Sequence, residues 1–225
     1  MSKKNISQEK IIQAFLRSCF ERGAGATSLA DVADLLEIKK ASLYNHFESR
    51  DAMYAGCLDY CQQEILQVEF ITPKQLEAVN AGKITVQSFL KKAISRYFAL
   101  FDSEPLFKMY VFVHSEQYFN ANALKIVQNQ AEKVTEDVKS VLLAYIKDSS
   151  EKEIKDIAAA VSCLILQQLD AYIALRKETV RQNPETGAGS LFELPSDNNI
   201  INRAAKLVET YINSLPAIQT SSAHK

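Results

Sequence analysis

Residues 27–47 read TSLADVADLLEIKKASLYNHF. Ser28 can cap a helix, and Asp31, three residues on, completes a capping-box-like pair. Leu29, Val32, Ala33 and Leu36 then recur at helical spacing and give one apolar face. Glu37-Ile38-Lys39 interrupts the pattern. A second short helix is predicted over 40–47, with Leu43 and Phe47 facing inward at i and i+4. The remaining positions are Lys39, Lys40, Ser42, Tyr44, Asn45 and His46, each carrying a hydrogen-bond donor. Lys, Ser and Tyr suit phosphate contacts, while Asn and Ser also read base edges in the major groove. Two short helices, a tight turn and a polar, basic outer face on the second have the layout of a helix-turn-helix DNA reader.

The flanks supply what that element cannot bury alone. An amphipathic helix is expected over 7–22, carrying Ile11, Ile12, Phe15 and Phe20, with Gly23 to end it. Ser49 can cap a following helix over 49–70. Three helices can then share one small core.

These residues resemble the N-terminal domain of the TetR family of bacterial transcriptional regulators. The resemblance rests on Thr27-Ser28, Asp31-Val32-Ala33, Ile38, Leu43-Tyr44-Asn45-His46-Phe47 and Arg50-Asp51, and covers residues 7–60. It implies an all-α protein with a three-helix DNA-binding domain at 1–50. A larger helical effector-binding and dimerisation domain follows at 51–216, and 217–225 read as a disordered tail. It adds Thr27, Ser28 and Arg50 to the DNA-contacting set. Glu37 departs from the family's usual turn glycine, and Ala41 stands where glycine or another small residue is common. Glu37 keeps an alternative open: a small-molecule-binding protein of the same fold with weak or lost DNA recognition.

Bulk charge does not announce nucleic acid. Lys and Arg total 26 against 27 Asp and Glu, so any basic surface is local: Lys3, Lys4 and Lys10, then Lys39 and Lys40. The N-terminus lacks the apolar core of a signal peptide, and no apolar run reaches the roughly 18 residues of a membrane span. The expectation is a cytoplasmic protein whose cysteines, Cys19, Cys57, Cys61 and Cys163, stay reduced. Cys57 and Cys61 lack metal-ligand spacing and read as small buried side chains.

The rest of the chain reads as amphipathic helices separated by sparse Gly and Pro. They are expected over 85–102, from Pro105 onward, over 121–147, over 151–179 and over 197–215. Segment 151–179 is apolar nearly all round, as a helix buried on more than one side would be. The last helix carries a stripe of Ile201, Ala204, Ala205, Val208, Tyr211, Ile212 and Leu215. The family resemblance implies that these two helices pair with their copies in a homodimer, and Ala205 and Val208 are placed at that interface. A plain monomer core is the alternative.

No motif of an enzyme is present: no GxGxxG, P-loop, HExxH or GxSxG, and no Glu-x-x-His pair for a di-iron site. No cofactor or metal is expected. Residues 97–119 are rich in aromatics, and Gln167, Gln168 and Asp170 interrupt an apolar helix. This pattern suits a small-molecule pocket or, equally, an aromatic core with the polar trio at a surface. The resemblance implies the pocket, with Phe98, Phe101, Tyr110, His114 and Gln167 touching a hydrophobic effector. The expected function is therefore a dimeric, ligand-responsive regulator, a repressor in the family's usual mode, bound to an inverted-repeat operator in double-stranded DNA.

Overall fold

The computed structural model describes residues 6–82, 84–146, 149–183 and 196–215. Among them every regular element is helical: α1 (Gln8–Arg22), α2 (Leu29–Leu35), a 3-10 helix (Lys40–Asn45), α3 (Arg50–Gln67), α4 (Pro73–Asn80), α5 (Val86–Phe101), α6 (Leu106–Glu116), α7 (Ala121–Tyr145), α8 (Glu151–Gln182) and α9 (Asn198–Asn213). The all-α expectation is met. The tail at 217–225 and most of the connection at 181–196 lie outside the described residues.

The contacts divide the chain into two compact units, residues 1–67 with 104–127, and residues 68–103 with 128–225. The division expected at 50/51 differs on two counts. α3 belongs with the first unit, and the chain returns to that unit through α6 and the start of α7.

In the first unit, α1 starts where the Ser7 hydroxyl accepts the Lys10 N–H and stops at Gly23, which at φ 84 takes a backbone form that side chains resist. Its apolar face meets α3 and α6. Phe15 is fully buried, with its ring edge-on to Tyr54 at 6.4 Å and to Phe112 at 6.2 Å, and Tyr54 meets Phe112 at 5.7 Å. Edge-to-face rings add to area burial because the positive edge of one meets the negative face of the next. The Tyr54 hydroxyl donates to Glu116 Oε2 at 2.7 Å, which gives this half-buried phenol a partner. Cys19, Cys57 and Cys61 are buried thiols, as read from the sequence. Desolvation pushes Cys19 up to about 12 and raises Cys57 as well, so both stay protonated and unreactive.

In the second unit, α5 packs on α9 and α8. Phe89, Ile94, Phe98 and Phe101 are buried on α5, and Ile201, Ala204, Ala205, Val208 and Ile212 on α9. The stripe of α9 therefore turns into its own chain. The placement of Ala205 and Val208 at a dimer interface is corrected: they are 3% and 1% exposed, and α5 and α8 cover α9. α4 adds a helix to those expected from the sequence. Its signature is nonetheless local: Thr72 and Gln75 form a reciprocal capping box around Pro73. α8 opens on a capping box of Ser150 and Glu153. Over its most apolar 18 residues α8 has a mean hydropathy of 1.6, so length and composition alone would let it cross a membrane. Only 39% of that window is buried in the chain. The sequence expectation holds for unbroken apolar runs and misses this helix because scattered polar residues divide it.

One polar cluster ties three elements of this unit. Asp102, at the end of α5, accepts Arg176 Nε at 2.6 Å, the Tyr172 hydroxyl at 2.8 Å and the Ser196 hydroxyl at 2.5 Å. Its side chain is 3% exposed and that of Arg176 13%. Burial and the bond to Asp102 push the Tyr172 phenol up to about 12, so it remains a donor throughout the neutral range.

Candidate DNA-binding surface

α2 begins with the capping box expected from Ser28 and Asp31: the Ser28 hydroxyl accepts the Asp31 N–H, and Asp31 Oδ2 accepts the Ser28 N–H at 2.8 Å. These bonds, with Arg22 at 2.7 Å, hold the Asp31 carboxyl below the usual carboxylate range. α2 ends at Leu35. The next residues do not form the α-helix expected over 40–47 but a 3-10 helix over Lys40–Asn45, opened by Lys39 with no side-chain cap. Its last bonds, His46 N–H and Phe47 N–H both to the Leu43 carbonyl at 3.0 Å, tighten the final turn.

Leu43 is the anchor, 1% exposed. Phe47 lies against α3 at Gly56, where an added Cβ would stand 3.0 Å from its ring, so glycine permits that close approach. With Leu43 turned inward, Lys39, Lys40, Tyr44 and Asn45 are exposed and Ser42 and His46 are half-buried. The structure thus brings these six predicted residues together on and beside one short helix. Ser28 is also exposed, with its hydroxyl engaged by Asp31 at 2.6 Å.

Thr27 is corrected as a contact, and Arg50 has a second role. Thr27 is 2% exposed, and its hydroxyl donates to the Gly23 carbonyl at 3.0 Å. It locks the turn between α1 and α2 and faces no solvent. Arg50 Nε donates to the Thr27 carbonyl at 2.9 Å, and Nη2 reaches the Ala24 carbonyl. Its guanidinium fastens the same turn to α3, with the side chain 35% exposed.

The five residues expected around an effector divide between the units. Phe98 and Phe101 are fully buried in the second, among Tyr97 and Tyr172, with ring centroids 4.9 Å from Tyr97 to Phe101 and 5.8 Å from Phe98 to Tyr172. Gln167 is exposed on α8. Tyr110 and His114 stack on each other in the first unit at 3.7 Å. A cleft of about 480 Å³ that the sequence did not suggest lies in the second unit, lined by Tyr172, Leu175, Arg176, Thr179 and the start of α9, and by none of those five residues.

A capped α2, a tight turn and an anchored short helix with a polar outer face define a helix-turn-helix protein of the DNA-binding class. A family model described as bacterial regulatory proteins, tetR family, matches residues 11–57. The biofilm operon icaADBC HTH-type negative transcriptional regulator IcaR of Staphylococcus aureus (strain Newman) is 38% identical over 63 residues. That match covers 26% of this chain and 34% of the relative, so it spans about a third of the relative's length. Two solved structures share the fold: a TetR-like transcriptional regulator from Rhodococcus sp. RHA1 (TM-score 0.58, 14% identity, 96% of this chain and 100% of that one) and a putative TetR-family transcriptional regulator from Mesorhizobium loti MAFF303099 (TM-score 0.57, 12% identity, 95% and 98%). Residues 11–57 thus carry the N-terminal domain of the TetR family of bacterial regulatory proteins, and the chain as a whole shares the fold of the two TetR-like structures.

Proposed function

We propose that this protein is a cytoplasmic transcriptional repressor that binds an inverted-repeat operator as a two-fold homodimer and is released by a small hydrophobic effector. The observation that carries the DNA reading is the face of Lys39, Lys40, Tyr44 and Asn45, exposed around the buried anchor Leu43. The lysines supply sequence-independent attraction; Tyr44, Asn45, Ser42 and His46 supply hydrogen bonds to phosphates and base edges. Repression is favoured by the similarity to IcaR, a negative regulator by its name.

The salt dependence of binding tests this surface. Lys39→Ala with Lys40→Ala is expected to flatten the slope of log affinity against log salt by about 3.6, roughly 0.9 for each of the two charges lost in each protomer of the dimer, on any duplex. Anisotropy titrations that return an unchanged slope would reduce both residues to solvated lysines.

The dimer reading draws on α8. Leu175 is 55% exposed and lies on one uncovered stripe with Gln167, Ala171 and Ala174, and Leu207 on α9 is 43% exposed. A helix this apolar with so much uncovered surface suits an isologous interface, in which the same patch serves both copies. Gln167 then belongs to that stripe. Leu175→Asp with Leu207→Asp is expected to give a folded monomer by light scattering at micromolar concentration, because the interface would bury unpaired charge. A wild-type monomer, or a variant that stays dimeric, overturns this.

The effector reading keeps a hydrophobic molecule in the second unit, where the cleft beside Tyr172 and Leu175 offers about 480 Å³ and Phe98 and Phe101 lie fully buried. DNA and effector must then weaken each other's binding by the same factor.

A further inference from the structure

α2 closes with two backbone bonds, from the Glu37 N–H to the Asp34 carbonyl and from the Ile38 N–H to the Ala33 carbonyl, each 3.0 Å. That pair of bonds is a Schellman ending. It places Glu37 at φ 56, the only non-glycine with positive φ among the described residues. Such a position favours glycine, because a Cβ there crowds the neighbouring carbonyl. The backbone thus carries strain to hold a side chain that is exposed and packs into no core. The side chain is a carboxylate, two residues before Lys39 and three before Lys40, at the entrance to the exposed helix.

We infer that Glu37 is an affinity-limiting residue of the DNA-binding surface: its carboxylate opposes phosphate and offsets one cation's share of counterion release. This rests on the DNA-binding reading above. The effect does not require Glu37 to be unpaired, because whichever cation it meets, the surface charge drops by one. Phosphate carries no sequence information, so the limit applies equally to every duplex. Its consequence is a repressor held below the affinity its lysines would give, on operator and unrelated DNA alike.

Glu37→Gln and Glu37→Lys in the full chain test this, because both keep a Cβ at the strained position while stepping the charge. Each is titrated between about 50 and 200 mM salt against two duplexes, one enriched by the wild type from a random pool and one unrelated. The log–log slope is expected to steepen by about 1.8 for Gln and about 3.6 for Lys, one and two charge steps in each protomer of the dimer, in parallel on both duplexes. Thermal melting followed by circular dichroism is expected to match the wild type. Slopes equal to wild type in folded variants overturn the inference while the DNA-binding reading stands. A change confined to the enriched duplex also overturns it and makes Glu37 a reader of bases. A wild type that binds neither duplex overturns the DNA-binding reading itself. Variants that melt early with unchanged slopes leave Glu37 a structural residue and likewise overturn the inference.

Discussion

Arg176→Ala is expected to destabilise the protein by about 3–5 kcal/mol, the cost of stranding a buried charge. Asp102 is 3% exposed at its side chain and would lose its charged partner, Arg176 Nε at 2.6 Å. Tyr172 and Ser196 would still donate to it, which places the loss nearer the lower end of that range. Urea denaturation followed by circular dichroism measures it. Because the pair is buried, added salt should change the loss little, in contrast to a surface pair. Combining Arg176→Ala with Asp102→Ala should cost less than the two singles together, since each single strands the other's partner. A single-variant loss below about 1 kcal/mol would show the pair behaving as a surface contact.

Phe15→Ala is expected to cost a similar amount, about 3–5 kcal/mol, for a different reason. The ring is fully buried and meets both Tyr54 and Phe112 edge-on, so truncation removes transfer energy, leaves a cavity and breaks two ring contacts. The damage falls on the unit that carries Lys39, Lys40 and Tyr44. DNA binding should therefore fail at temperatures where α8 and α9 retain helical signal. Phe15→Leu, which refills part of the volume, should recover more than half of the loss. Equal losses for Ala and Leu would mean that the packing at this position is not what stabilises the unit.

The DNA-binding element was legible because its chemistry is local. A Ser-x-x-Asp capping box, an apolar repeat at helical spacing and Leu43 at the inward position lie within 21 consecutive residues. Side-chain direction was less legible. Thr27 and Arg50 stand inside the family pattern, yet both donate to carbonyls of the loop between α1 and α2, Gly23 and Ala24. Periodicity also gave the stripe of α9 without its partner: Ala205 and Val208 lie on the apolar face, and that face meets α5. The Asp102 cluster draws on residues 70 to 94 positions apart, a separation that no local pattern encodes. The helix α4 carries a local signature in Thr72-Pro73 and Gln75, where proline opens a helix as readily as it ends one. The aromatic run at 97–119 separated into two packed clusters, with Tyr118 and Phe119 left exposed, since rings at helical spacing serve a core as readily as a pocket.

Selection of bound duplexes from a random DNA pool by the full-length protein, at about 100 mM salt, tests sequence-specific recognition by a two-fold dimer most directly. The account expects enrichment of an inverted repeat whose half-sites are centred roughly 34–36 Å apart along the duplex, or slightly more, because two recognition helices must enter successive major grooves on one face. Loss of that enrichment with Tyr44→Ala and Asn45→Ala would tie it to this surface. A pool that shows no enrichment after repeated rounds, with the protein folded and dimeric, would contradict the account.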